Sequence, residues 1–599
     1  MQILGPKRLN RALGRNLLDK GGAIDLFSSA PLDLRFALQK TLDPRVTFTR
    51  ASSGTYVGSD GLIKSAVTNL LTYSEQFDNA AWTKTNSTVT TNATTAPNGT
   101  LTADKLITNN TASSGRASVS VTAAVTGSPA TLSCFAKQGE TSVFGLFISD
   151  GVTGRAADFD LITGTVSGTP TAGMTASIEA VGDGWYRCVA TVASITGTTR
   201  SLRVVQTVVA NDGIKGLYIW GAQFEETSTV GEYIPTVAAI NSAPRFDHNL
   251  TTGESLGLLV EEARTNLSLY SEDFTDASWT KTDCTITANE STAPDGTTTA
   301  DLWTNIPSAG GVINNSITKD ATTRTYTVTM WVKGTVSLFT FTLDFGGTTN
   351  RGRAQFNLAT NTVVGTTNTG NFTGTSASIT AYPGGWARLT MTTTTSTGTT
   401  IRFRPFFGTG GESVYIWGAQ VEEGAFPTSY IPTTTATATR AADVASITGT
   451  AFSSFYNQTE GTVFVETQLQ STSARNAAGF DINDNSTNNR SIFRAFTTGS
   501  FDQYLVRSGS STVVTIASAT APTLVTRKSI IAYKINDFAI TADRLAPNLD
   551  TSGAVPVAVT QMFIGSAQAG AEFMGGTIKR LTYWPVRLAT PTLQAITQP

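Results

Sequence analysis

The sequence predicts a mainly β protein: tandem jelly-roll β-sandwich domains behind a short N-terminal helical anchor. The first observation behind this is a long internal duplication. Asn69-Leu-Leu-Thr-Tyr-Ser-Glu-Gln76 returns as Asn266-Leu-Ser-Leu-Tyr-Ser-Glu-Asp273, and Tyr218-Ile-Trp-Gly-Ala-Gln223 returns as Tyr415-Ile-Trp-Gly-Ala-Gln420. Trp82 and Trp220 recur as Trp279 and Trp417, at the same spacing from start to end, so the repeat is a whole domain rather than a motif. The second is composition. Charged residues make up only 14% of the chain, while Thr, Ser, Gly and Asn abound, which suits short strands joined by turns. The third is alternation: apolar and polar residues alternate over short runs bounded by turn residues.

Length sets the scale. A chain of 599 residues holds roughly three to five domains. A net charge of −2 gives no global electrostatic case for nucleic acid or an anionic membrane. No apolar run approaches the ~18 residues of a membrane-spanning helix, and the N-terminus lacks the apolar core of a signal peptide. Three cysteines argue against a disulfide framework. Cys134 aligns with Met330 and Cys188 with Leu389, which marks them as small core residues; Cys284 aligns with Ser87. No spacing resembles a zinc site, and no metal ligand set is assigned.

Taken in order, residues 1–45 form an N-terminal anchoring segment. Within it, Pro6–Leu18 places Leu9, Ala12, Leu13 and Leu17 at helical spacing, with Lys7, Arg8, Arg11 and Arg15 on the other faces. Its functional reading is docking to a larger assembly; a frayed terminal helix is the competing one. Residues 46–68 alternate around Gly58-Ser-Asp-Gly61 and read as a β-hairpin. Copy one spans 69–243 and copy two 266–437, each with about eight strands, as in a two-sheet sandwich. Trp185 and Trp386 fall out of the common spacing, so the copies differ in loop length between Val166 and Trp220. Residues 244–265 form a second hairpin-like piece turning near Thr252-Gly253. Residues 438–599 are not a third copy; Gly461–Glu466, Lys528–Ile535, Gln561–Gly565 and Lys579–Pro585 read as strands, with a short helix at the end.

Thr47-Phe-Thr-Arg-Ala-Ser52, Arg245-Phe-Asp-His248 and above all Gly253–Asn266 resemble segments common in bacteriophage tail-fibre, head-fibre and other virion proteins. The repeat unit looks like the carbohydrate-binding-module-like sandwich of such fibres. The last domain, through Gly461–Glu466, Phe563-Ile-Gly565 and Tyr583-Trp-Pro585, resembles a laminin-G or concanavalin-like jelly roll. In that family pattern the Phe-Thr-Arg-Ala hairpin is followed almost directly by Arg-Phe-Asp-His. The whole of copy one intervenes here, so copy one is expected to be an insertion, with strands of 46–68 pairing with strands of 244–265. The resemblance also implies a homo-oligomer, a trimer by preference, although no sustained heptad enforces three strands.

Catalysis finds little footing. The single histidine, His248, and the Gly253-Glu-Ser-Leu-Gly257 match lack the strand–turn–helix context of a nucleophile elbow, so His248 and Ser255 read as structural. The carboxylate pairs Glu225/Glu226, Glu261/Glu262 and Glu422/Glu423 are adjacent on strands, which sends neighbours to opposite faces. Binding fits better. Sugar rings stack on aromatic faces while polar side chains bond their hydroxyls. Tryptophans present in both copies read as core; aromatics present in one copy are the better ligand candidates. Tyr382 is one. Asp481, Asn483 and Asp484, beside Asn485, form a polar loop that completes the glycan-contact candidates; the loop could hold Ca²⁺ through oxygen ligands, or be a plain Asx-turn. No other cofactor is expected.

The expectation is therefore a structural, non-enzymatic virion protein, an exterior appendage. Its N-terminus meets other virion proteins, and its lectin-like sandwiches meet a host-surface glycan, with no nucleic-acid partner and no membrane insertion. The alternatives are a glycan-degrading tailspike, or a decoration protein that stabilises the capsid or tail without binding host.

Overall fold

The computed structural model describes residues 26–598, apart from 110–113, 123–128, 197–198, 208–212, 307–309, 347–348, 397, 409, 473–474, 497–501 and 519–523. Lys7, Arg8, Arg11 and Arg15 lie outside the described residues. The fold is mainly β, built of antiparallel sandwich sheets with a few short helices. Among the described residues no helix is long and apolar enough to cross a membrane. The chain divides into two compact units: Arg50–Ser53 with Ala66–Ala243, and the remainder, including Gly54–Ser65 and Pro244 onward.

The smaller unit is copy one, a sandwich of two six-stranded sheets. One sheet runs, in spatial order, Met174–Gly182, Trp185–Val192, Ala130–Lys137, Gly216–Glu225, Ala103–Thr108 and Ser87–Thr94. Copy two repeats that order with Phe372–Tyr382, Trp386–Thr395, Arg324–Lys333, Ser413–Glu423, Ala300–Asn305 and Cys284–Ser291. The duplication reaches the irregularities. Each central pairing shifts register at the same place, between Ser133 and Phe135 in one copy and between Thr329 and Trp331 in the other. The shared sequence explains itself here. Asn69 Nδ2 donates to the carbonyls of Ala222 and Ile234, and Asn266 Nδ2 to those of Ala419 and Ile431. Trp82 Nε1 donates to Tyr73 O at 3.0 Å and Trp279 Nε1 to Tyr270 O at 3.1 Å. A buried indole N–H needs such an acceptor. Cys134 and Cys188 face one another across a ladder as buried free thiols, at home among aliphatic neighbours.

The last sandwich is assembled from three stretches of chain, which corrects the expected domain boundaries. One of its sheets orders Arg245–His248, Ser255–Val260, Gly576–Trp584, Glu460–Leu469, Arg527–Lys534, Phe538–Ala542 and Asn548–Asp550, with Leu32–Leu34 also on Gly576–Trp584. The facing sheet begins with Thr47–Thr49, paired to Val444–Thr448. Residues 26–49 are therefore not a free anchor. Leu32, Leu34, Phe36 and Phe48 sit in the same core as Val463, Ile531 and Leu581, and Asp33 accepts from Arg580 and Thr582. Nor do the two hairpin-like pieces share a ladder. Among the described residues Thr55–Val57 pairs only with Ile63–Ser65, as a separate two-stranded sheet. The physical reason is edge matching: Phe48 of Thr47–Thr49 and Leu258 and Val260 of Ser255–Val260 close the core of the sandwich, and the polar Gly58–Gly61 hairpin is left to pair with itself.

Candidate functional site

The outer face of the six-stranded sheet of copy two carries an aromatic cluster. Strand Arg324–Lys333 sends Val328, Met330 and Val332 into the core and Thr327, Thr329 and Trp331 to the other side. There Trp331 meets Trp417 at 5.4 Å between ring centroids, Tyr430 at 5.4 Å and Tyr382 at 5.6 Å, all edge-on. The Arg388 guanidinium stands 4.6 Å over the Trp331 ring. It donates through Nη2 to Thr428 O at 2.8 Å.

Over this floor lies the Thr55–Ser65 hairpin. Ile63 packs into the cluster, and its N–H donates to Pro294 O at 2.9 Å. Thr55 Oγ1 donates to Tyr430 O at 2.6 Å. The Arg245-Phe-Asp-His248 run holds the hairpin from the other side. Arg245 Nη1 donates to Thr55 O at 2.8 Å, Asp247 Oδ1 accepts from Val57 N–H at 2.7 Å, and His248 Nδ1 meets Val57 O at 2.9 Å. The two pieces thus meet through side chains on backbone.

Arg245 belongs to a fully buried charge cluster. It pairs with Glu261 at 2.8 Å and with Asp443; Arg440 stands 3.5 Å from Glu261 and 3.9 Å from Asp443. Ser429 donates its N–H and hydroxyl to Glu261 at 2.8 and 2.7 Å. Burial alone would raise the Glu261 carboxyl, but Arg440, Arg245 and Ser429 together hold it down at about 2. Asp247 is pushed the other way, to about 6, by burial, against the Val57 N–H that favours its charged form. Four charges joined by hydrogen bonds tie the hairpin, the 425–430 loop of copy two and the last sandwich together.

A groove of about 660 Å³ opens between these parts, within the ~300–1,000 Å³ of small-ligand sites. Its walls include Tyr56, Asp247, Trp331, Tyr382, Arg388 and Phe426. Hydroxyls of Ser376, Ser378, Thr380, Thr390 and Thr392 line the sheet side. Trp331 is buried beneath this wall, and the Tyr382 hydroxyl sits against both the Trp331 and the Arg388 side chains. The arrangement lines the groove with the Tyr56 and Tyr382 rings, a cation, a carboxyl and a row of hydroxyls. That set suits a polyhydroxylated ligand.

Of the sequence-selected candidates, Tyr382 is at this groove. Asp481 and Asn483 are not. Both are fully buried in the last sandwich, where Asp481 pairs with Arg490 at 2.8 Å and Asn483 donates to Asp481 at 3.0 Å. Gln568 N–H also donates to Asp481 Oδ2, and Gln561 Nε2 donates to Asn483 Oδ1. Asp484 Oδ1 accepts Ser486 N–H and Oγ, an Asx-turn. Among the described residues no cluster of three or more His, Cys, Asp or Glu side chains is arranged to hold a metal. His248 faces Ser255 across the hairpin register, but both are buried and the Ser255 hydroxyl accepts Gly257 N–H. Gly257, at φ +91°, is required because a Cβ would strike the Ile578 carbonyl. Two of the three adjacent carboxylate pairs split: Glu261 serves the buried cluster while Glu262 pairs with Arg264, and Glu422 is buried on Gln420 and Thr428 while Glu423 reaches Arg324. Sequence reasoning missed Trp331, Arg388 and Asp247. Trp331 had a signal: its copy-one counterpart is Phe135, so its indole N–H occurs once.

No protein-family model matches the chain, and no curated protein matches it in sequence. Among solved structures, the CBM40 of the Ruminococcus gnavus IT-sialidase matches at 13% identity and TM-score 0.22, over 24% of this chain and 87% of that one. The CBM22-1-CBM22-2 tandem domain from Paenibacillus barcinonensis Xyn10C matches at 12% identity and TM-score 0.17, over 60% and 98%. Domains LG4-5 of the mouse laminin alpha1 chain match at 10% identity and TM-score 0.16, over 54% and 88%.

Proposed function

We propose that this chain is a non-enzymatic, structural appendage protein of a virion exterior, and that copy two binds a host-surface glycan in the groove over Trp331. The observation that carries the reading is the groove itself: the Tyr382 ring, the Arg388 cation and the hydroxyls of Ser376, Ser378 and Thr380 lie together along its wall. The virion setting rests on the resemblance of Thr47–Ser52, Arg245–His248 and Gly253–Asn266 to phage appendage proteins. Residues 1–25 would meet other virion proteins, and a trimer would multiply weak sites into useful avidity. The non-enzymatic reading is supported by the structural duties of the carboxylate pairs and of His248 and Ser255 described above.

The test is a glycan array probed with the full chain and with Tyr382→Ala. The expected result is a signal for the wild type that falls about tenfold or more in the variant, since one aromatic platform contributes on the order of 1–3 kcal/mol. A silent wild-type array overturns the glycan reading and favours a decoration protein. Gold labelling of intact particles with an antibody to the chain tests the location. Reducing-sugar release from envelope polysaccharide would restore the tailspike alternative.

A further inference from the structure

Three cavities surround the Thr55–Ser65 hairpin. The groove of about 660 Å³ has Thr55, Ile63 and Tyr430 in its wall, and so does a second cavity of about 280 Å³ that also touches Glu272 and Trp417. A third, of about 150 Å³, lies under Gly61 and Leu62, against Trp386 and Tyr382. One buried aromatic cluster, Trp331, Trp386, Trp417 and Tyr430, therefore lies beneath the hairpin, which stands between the cavities around it.

The partition is firmly held. Both of its strands are hydrogen-bonded to copy two, through Thr55 Oγ1 and the Ile63 N–H. Its first strand is gripped from behind by Arg245, Asp247 and His248. Arg245 in turn is locked by Glu261 and Asp443. Moving the hairpin would leave buried charge and backbone groups without partners, so it is a wall rather than a lid.

We infer that the hairpin makes the groove a blind-ended site that selects the terminal unit of a glycan and excludes internal units of a long chain. This rests on the glycan reading above. A ligand lying along the sheet past Ser376, Ser378 and Thr380 runs into Ile63 and Thr55 at the end of the groove. Only a chain end stops there without a clash. Steric rejection of this kind gives specificity without added affinity for the right ligand.

The experiment uses the full chain and a printed panel of trisaccharides ending in galactose, glucose, mannose, rhamnose, N-acetylglucosamine or sialic acid. Each is also printed as the internal unit of a longer, end-capped oligosaccharide. The expected result is about tenfold or greater preference for the terminal form. Ile63→Ala, which trims the wall both larger cavities share, is expected to bring the internal form to within about threefold of the terminal one, with folding checked by thermal unfolding. Equal binding of both forms by the wild type overturns the blind-end inference and leaves the glycan reading intact. A preference that Ile63→Ala does not change overturns the hairpin as its cause. No binding to any glycan overturns both.

Discussion

Copy one and copy two share strand order, register shift and tryptophan hydrogen bonds, yet their aromatic faces have different fates. Trp185 and Trp386 donate to Thr95 O and Thr292 O, each at 3.1 Å; Trp220 and Trp417 donate to Thr102 and Thr299 hydroxyls, each at 3.1 Å. Arg187 stands 5.4 Å over Phe135 as Arg388 stands 4.6 Å over Trp331. Copy two adds the Trp331 indole N–H and Tyr382, which faces Trp386 where Gly182 faces Trp185. It also carries Ile63 in its cluster, and among the described residues no side chain takes that place in copy one. Tyr430 is accordingly only 3% exposed, while Tyr233 is half-buried. Duplication preserved the scaffold, and the site arose where other parts of the chain came to rest on one copy.

The comparison breaks most readily at the buried charges. Arg245→Ala leaves Glu261 and Asp443 in the interior with one cation fewer, and is expected to cost the larger unit about 3–5 kcal/mol. Hydrogen exchange resolved by segment checks this: protection should fall in copy two and the last sandwich and hold in 66–243. Uniform loss in both units would refute the assignment.

A smaller contrast separates the paired tyrosines. Tyr430 Oη bonds Ser271 Oγ at 2.7 Å and Glu272 at 2.9 Å; Tyr233 Oη bonds Ser74 Oγ at 2.8 Å and Glu75 at 3.1 Å. Tyr430→Phe strands buried groups and should cost about 1–3 kcal/mol, against about 0.5–1.5 kcal/mol for Tyr233→Phe, where water can substitute. Equal losses by thermal unfolding would show that the hairpin does not shield copy two.

The pH dependence sharpens the same contrast with the smallest effect. Glu272 is pushed up to about 7 by burial, opposed by the Tyr430 hydroxyl and reinforced by Asp295; Glu75 moves the same way. The folded value lies above the ordinary 4.5. Its contribution is therefore complete below about 4.5 and is lost as pH rises through about 7. Glu261 has the opposite sign: its contribution is present above about 4.5 and is lost as pH falls through about 2. The unfolding midpoint of copy two should decline from pH 5 to pH 8, and Glu272→Gln should flatten that decline. An unchanged slope in the variant would remove Glu272 as its source.

Much of the fold was legible because it is local. Lys528–Ile535 and Gln561–Gly565 fall within one residue of the strands Arg527–Lys534 and Gln561–Ile564, since strand periodicity and turn chemistry act over a few residues. Lining up the copies also sorted the tryptophans and two cysteines into core. Asp481 and Asn483 were misread because a polar run looks the same whether it faces water or pairs with Arg490 inside.

By itself, then, the sequence determined a mainly β chain with a duplicated sandwich and its shared aromatic core. Only the tertiary structure decided that Thr47–Thr49 and Ser255–Val260 belong to the last sandwich, and that Ile63 divides the aromatic face of copy two. Those outcomes depend on contacts between residues hundreds of positions apart. Such contacts are set by which apolar edges and buried charges can be satisfied together, and no local pattern records that.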